Sequence, residues 1–348
     1  MPPAHEYVRD ITRHIFITEL GKMSPSSFSS RRTMFAPVIS VQVEAITRCL
    51  TISDPKDMER AKMCVSAIVE DLLHVAKDAA LHDSQGKDVN AIIHLLASRF
   101  VGLCFEEAIE CKMAGYNGIV LIIRTPNLEV GRVEEREVDF VRALLGIIKD
   151  TPPDTSRSIS DITSTILDIL RLCHGPRDEE NKTSADDGTV AKQQTFVFVI
   201  SIMVSELASA NATVRATAQQ SLELLAELTR KSTHDLVKPH RDRLLGPIFN
   251  RPLRALPLLN QIGHVDAVTY TLNMRPPLPD VTEELWRMLN ETLAVADADD
   301  NSLNSQSRTG QAQNLGVITN LRVACIRLLS AAIPATDFFQ GQNTMRAR

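Results

Sequence analysis

Five stretches of this chain set apolar residues three and four apart, the spacing of a helix with one buried face. They are Ala61, Val65, Ile68, Leu72 and Val75; Val138, Val141, Leu145 and Ile148; Ile159, Ile162, Ile166 and Ile169; Val214, Ala218, Leu222, Leu225 and Leu228; and Ile318, Leu321, Cys325, Leu328 and Ala332. A stripe of that width covers one side of a helix and leaves the other side for water. Such helices must be laid against one another, so the expected fold class is all-α. Two runs compete on local propensity, GIVLII (Gly118 to Ile123) and FVFVISIMV (Phe196 to Val204). Neither has a partner strand at hairpin spacing, which favours helices in a buried layer.

Punctuation falls between the stripes. Asp54-Pro55 suits a helix start, with Asp as cap and Pro in the first turn. The breakers are Ser24 to Ser30, His174 to Lys192, Pro276 to Pro279 and Asp297 to Gln311. The stretches 174–192 and 297–311 are polar and poor in apolar residues, and are expected as mobile loops. None of the breakers reads as a long linker, so residues 1–348 are expected to form a single helical segment. At 348 residues the chain is too long for one compact core of usual size.

The segment NATVRATAQQSLELL (Asn211 to Leu225) has the look of the second helix of a HEAT-type repeat. It offers a capping Asn, then Val-Arg, then small and aliphatic residues on one face. LRVACIRLLSAA (Leu321 to Ala332) echoes it, with Leu321-Arg322 in the place of Val214-Arg215. Helix pairs of this kind stack on neighbours into a solenoid. Periodicity alone leaves the solenoid and an irregular helical bundle equally open.

Chemistry-bearing patterns are sparse. Cys49, Cys64, Cys104, Cys111, Cys173 and Cys325 form no C-x-x-C pair and read as buried thiols of a reducing compartment. His234 and His240 lie on different helical faces, His264 stands alone in QIGHVDA, and Cys173-His174 lacks metal-ligand spacing. The carboxylate pairs Glu106-Glu107 and Glu134-Glu135 are expected on solvated helix faces. Gly102, Gly115 and Gly118 do not make a phosphate loop, and kinase signatures are missing. No catalytic residue, cofactor site or metal site is expected. The net charge is −5 and aromatics make up 4%, which argues against a base-stacking nucleic-acid binder. The longest apolar run, Phe196 to Val204, is about half of a bilayer span. No membrane partner is expected.

One charge asymmetry stands out. From Arg230 to Arg254 seven Lys and Arg face two Asp, a local balance of +5; from Asp280 to Asp300 seven acidic residues face Arg287 alone, a balance of −6. The stronger reading is two solvated faces that meet each other or neighbouring repeats. The sharper reading is an acidic-partner site at Lys238, Arg241, Arg243, Arg251 and Arg254, with Leu244, Leu245, Ile248 and Phe249 gripping an amphipathic helix.

Seven blocks, in order, resemble one family. They are PPAHEYVRDITRH (2–14), GLCFEEAIECKMAGYNGIVLI (102–122), VRALLGIIKD (141–150), ELASANATVRATAQQSLELLAELT (206–229), VKPHRDRLLGPIFNRPLRALPLLNQIGHVDAVTYTL (237–272), EELWRMLNETLAVADADD (283–300) and LRVACIRLLSAA (321–332). The chain is identified by them as similar to the transformation/transcription domain-associated protein family, whose members are large non-catalytic scaffolds. The most specific block contains PLRALPLLNQIGHVDAVTYTL (Pro252 to Leu272). The resemblance implies a HEAT-type α-solenoid interior to a much larger protein, nuclear, and part of SAGA and of the nucleosomal histone-tail acetyltransferase complex. It implies as partners the other subunits and the acidic activation domains of transcription factors. It also implies kinship with phosphatidylinositol-3-kinase-related kinases, whose kinase region this chain does not contain. The stretch His174 to Lys192 and the tail Gln340 to Arg348 depart from the family pattern. The alternative function is a generic HEAT-repeat adaptor, such as a transport receptor or phosphatase scaffold.

Overall fold

The computed structural model describes residues 50, 87–124, 133–151, 156–175, 187–298 and 311–346. Among them every regular element is helical. The helices fall into two compact units, Met1–Cys173 and His174–Arg348. The stripe Ala61 to Val75, the Asp54-Pro55 cap, the breaker Ser24 to Ser30 and the block at 2–14 lie outside the described residues.

In the first unit, α1 (Lys87–Leu103), α2 (Ile109–Arg124), α3 (Glu137–Asp150) and α4 (Ser156–His174) follow in order. Val141, Leu145 and Ile148 are buried along α3, as are Ile159, Ile162, Ile166 and Ile169 along α4. The apolar run GIVLII is part of α2, a helix as its lack of a partner strand suggested. Glycines let α1 and α2 come together. A Cβ on Gly115 would lie 2.6 Å from the Phe100 carbonyl oxygen and 2.7 Å from Cys104 Sγ, and one on Gly118 would overlap the Phe100 ring. The pairing of 100 with 118 and of 104 with 115 runs the two helices antiparallel. Between α2 and α3, Lys112 Nζ meets Asp150 at 2.6 Å with its own side chain almost wholly buried.

The second unit holds α5 (Asp187–Glu206), α6 (Ala212–Thr229), α7 (Thr233–Val237), α8 (Arg241–Phe249), α9 (Leu258–Leu272), α10 (Glu283–Ala296) and α11 (Gln311–Arg346), with 3-10 turns at Lys238–His240 and Leu253–Ala255. FVFVISIMV is helical within α5. Val199, Ile200, Ile202, Met203 and Val204 are all buried, so this helix has no narrow stripe to announce it. The helix also reaches back into the polar stretch expected as a loop, because 187–192 belong to α5. Ala191 and Lys192, with Gln193 and Gln194 after them, are good helix formers and carry the helix outward from its buried end.

Asn211 caps α6, its side chain accepting from Thr213 N at 2.9 Å and Val214 N at 3.3 Å. The helix ends at Arg230, whose φ of 54° is left-handed. Val214, Ala218, Leu222 and Leu225 are buried. Both α9 and α10 pack against α11. Among the described residues one stretch, Leu315–Ala335 of α11, is long and apolar enough to cross a membrane by length and composition. Its Ile318, Leu321, Cys325 and Leu328 are buried in protein.

The α1–α2 contact gives a direct test. Gly115→Ala forces the Phe100 carbonyl to move and is expected to cost about 2–3 kcal/mol, as overpacking typically does. Gly102→Ala, with nothing within 4 Å of the added Cβ, is expected to be neutral or stabilising by about 0.5–1 kcal/mol. Urea unfolding of the two variants measures the difference; equal midpoints would contradict the close approach.

Candidate interaction surface

The basic stretch runs through α7, the first 3-10 turn, α8 and the second 3-10 turn. Ser232 opens it as the cap of α7, accepting from Asp235 N at 3.1 Å and donating to the Asp235 carboxylate at 2.6 Å. That hydroxyl, with the nearby His234 and Lys238, holds the Asp235 carboxyl below the usual range.

The acidic stretch lies against the basic one. Arg241 donates to Asp280 at 2.6 Å. The Leu253 amide donates to the Glu291 carboxylate, and Arg254 donates to the Ala294 carbonyl at 2.8 Å. In the opposite sense Arg287 of α10 donates to the Phe249 carbonyl and sits 3.7 Å from Glu291. The two charged segments meet each other, which is how a balance of +5 beside one of −6 is accommodated. Exposed pairs of this kind each contribute about 0–1 kcal/mol.

The sequence-predicted site residues therefore divide. Arg241 and Arg254 are engaged with α10 or the segment before it, and Arg243 donates to Ser201 of α5. Lys238 and Arg251 are exposed. The expected apolar grip is corrected: Leu244, Leu245 and Ile248 are 4%, 3% and 2% exposed and face the protein's own core. Of the carboxylate pairs, Glu106, Glu107 and Glu135 are exposed but Glu134 is buried.

The same unit holds a polar cluster that sequence reasoning missed. Arg215 Nη2 meets Asp266 of α9 at 2.7 Å, with the two side chains 7% and 25% exposed. Arg215 Nη1 donates to the carbonyls of Ser209 and Ala210 at 2.8 and 3.1 Å. Gly263, one turn before Asp266, lies under the same loop, and a Cβ there would be 2.6 Å from the carbonyl oxygens of Ala208 and Ser209. Arg215 is near Asp266, and Glu223 is close enough to Tyr270 to help raise its hydroxyl pKa, though burial is the larger cause. The available signal was a charged residue inside an apolar helical stripe, Arg215 next to Val214, and a Gly three residues before an Asp in QIGHVDA.

Around the cluster, burial pushes the Cys325 thiol up to about 12, with the Asp266 carboxylate adding to it. Burial likewise takes Cys104 to about 12 against the pull of Lys112. His264 is held below its usual range by burial and then by Arg251, and His240 by burial and then by Arg243. His174 sets its ring edge-on to Phe196, 5.0 Å between centroids. No three metal-ligating side chains come together among the described residues.

Two predictions follow from these contacts. Removing either member of the buried pair, by Arg215→Met or Asp266→Asn, is expected to cost about 2–3 kcal/mol, at the low side of a buried pair because Asp266 is partly wet. The double variant is expected to lose less than the sum of the singles, and strict additivity in urea unfolding would contradict the pairing. For pH, a depressed folded-state pKa means that the unfolded chain binds protons more readily at His264 and His240. Their contribution is present above the ordinary value of 6.5 and is lost as pH falls from there through the lower folded-state value. Urea midpoints are expected to fall between pH 7.5 and pH 5.5, with a shallower fall in His264→Asn; an identical slope in that variant would refute the assignment.

Comparison with known proteins finds relatives over most of the chain. A sequence model of the family described as the Tra1 HEAT repeat ring region matches residues 2–348. The SAGA complex/NuA4 acetyltransferase complex subunit Tra1 of Schizosaccharomyces pombe is 34% identical over 255 residues, 71% of this chain and 7% of that protein. Its namesake in Saccharomyces cerevisiae is 30% identical over 306 residues, 87% of this chain and 8% of that protein. The human transformation/transcription domain-associated protein is 24% identical over 297 residues, 84% of this chain and 7% of that protein. The chain thus spans less than a tenth of the length of these relatives.

Proposed function

We propose a role for this chain from the fact that it belongs to the Tra1 HEAT repeat ring family: it is a non-catalytic scaffold segment of a transcription coactivator. On this reading it works in the nucleus as part of SAGA- and NuA4-type histone acetyltransferase complexes, bound to their other subunits. The observation that carries the reading is the match over residues 2–348 together with relatives whose names give that complex. The helices support it physically, because their polar side chains serve to join one helix to the next. The family match also supports reading residues 1–348 as one continuous stretch of repeats.

The reading extends to acidic activation domains as partners, drawn by the surface of Lys238, Arg241, Arg243, Arg251 and Arg254. Lys238 and Arg251 are the members best placed to meet a partner, since Arg241, Arg243 and Arg254 already hold neighbouring segments. Long-range attraction of this kind raises encounter rates more than it sets affinity.

The test is recovery of the epitope-tagged chain from nuclear extract, assayed for histone acetyltransferase activity. Activity in the precipitate is expected, and clean recovery of the chain without activity would overturn the scaffold reading. The Lys238→Glu, Arg251→Glu variant is expected to keep that activity yet lose retention on an immobilised acidic amphipathic peptide. Unchanged retention would remove the acidic-partner surface and leave the scaffold reading standing.

A further inference from the structure

Between α6 and α7 the chain turns through Arg230, Lys231 and Ser232, all of them exposed. Arg230 closes α6 in its left-handed conformation, and the Lys231 amide donates back to the Ala226 carbonyl at 3.0 Å. The end of α6 thus fixes the turn, which presents two cations immediately before a serine hydroxyl. That hydroxyl donates to the Asp235 carboxylate at 2.6 Å and accepts from the Asp235 amide at 3.1 Å. Asp235 and Lys238 stand three apart on the successive turns of α7 and the 3-10 helix, which sets them on one side. Lys238 is near enough to act on the Asp235 carboxyl. Ser232, Asp235 and Lys238 therefore form one exposed row.

The row suits a phosphoryl acceptor. A phosphate on serine carries a charge of about −1.5 to −2 at neutral pH. Arg230 and Lys231 lie on one side of Ser232 and Lys238 on the other, all exposed. What the turn displays also selects the class of enzyme. Asp235, third after the serine, is held against the hydroxyl itself, so it is not presented for recognition. Arg230 and Lys231, second and first before the serine, are presented.

We propose that Ser232 is a phosphorylation site for a kinase that reads cations before its acceptor, and, resting on the acidic-partner reading above, that the phosphate withdraws Lys238 from the surface offered to acidic partners. The Ser232 Oγ attacks the γ-phosphorus of ATP. The Oγ–P bond forms as the bond to ADP breaks, ADP leaves with the electron pair, and the hydroxyl proton passes to the kinase's carboxylate base. The phosphorylated side chain has no hydroxyl left to donate to Asp235, so phosphate and carboxylate repel and the phosphate turns to the cations on either side. Of these, Lys238 belongs to the acidic-partner surface. The balance of +5 from Arg230 to Arg254 falls to about +3.

The intact chain is incubated with ATP and a basophilic serine/threonine kinase of the protein kinase C class, beside a synthetic peptide of residues 226–238, AELTRKSTHDLVK. Both are mapped by tandem mass spectrometry. Phosphate on Ser232 of both is expected, and the same turn is expected to stay unmodified in Ser232→Asn, which keeps a capping side chain. A modified peptide beside an unmodified Ser232 in the chain would overturn the proposal, because the fold would then hide the hydroxyl. An unmodified peptide would overturn it too, because the turn would then not be read. The phosphorylated chain is expected to bind an immobilised acidic amphipathic peptide about fivefold more weakly, and Lys238→Gln to lose less on phosphorylation. Equal losses would overturn the role of Lys238. If the unmodified chain is not retained at all, the acidic-partner reading falls, while phosphate on Ser232 still decides the site.

Discussion

The pair between Arg215 and Asp266 sets the geometry of the second unit. A guanidinium with 7% exposure cannot be left without a counter-charge, since an unpaired buried ion costs several kcal/mol. Once Asp266 supplies that charge, α9 is tied to α6 at that point. The carbonyls of Ser209 and Ala210 accept from Nη1, and Gly263 lets the same loop sit on α9. Helix packing by aliphatic side chains alone tolerates sliding. A bidentate charge with two carbonyls and one carboxylate does not.

Two stretches distant in sequence supply this contact. ELASANATVRATAQ supplies the loop, the cap and the arginine, while QIGHVDAVTY supplies the glycine and the aspartate. The outer charges are of a different kind. Arg241 with Asp280 is a wet pair that ties α8 to the segment before α10, and Arg287 with Glu291 is a wet pair within α10, each at small energetic gain. The basic stretch is therefore partly a structural counterpart of the acidic one, and what it offers to partners is limited to the side chains that this pairing leaves outward.

The helical class was legible in the sequence because four of the five apolar stripes fall on described helices with one buried side. Asn211 was legible as a cap because a short polar side chain before Val-Arg has that role at few other places. What sequence could not give was pairing between distant residues. Arg215 reads as one more surface arginine until Asp266 is brought beside it, and Leu244, Leu245 and Ile248 read as a grip until the fold turns them inward. The start of α5 was hidden for another reason: its first turns are polar in sequence and carry no apolar stripe.

Native-state hydrogen exchange on the intact chain tests the central claim, that α6 and α9 are locked as one unit by the buried pair. Amides of 214–226 and 262–272 are predicted to open with a common free energy and to drop together in Arg215→Met. Independent opening of the two helices, with α9 unchanged when Arg215 is replaced, would contradict it.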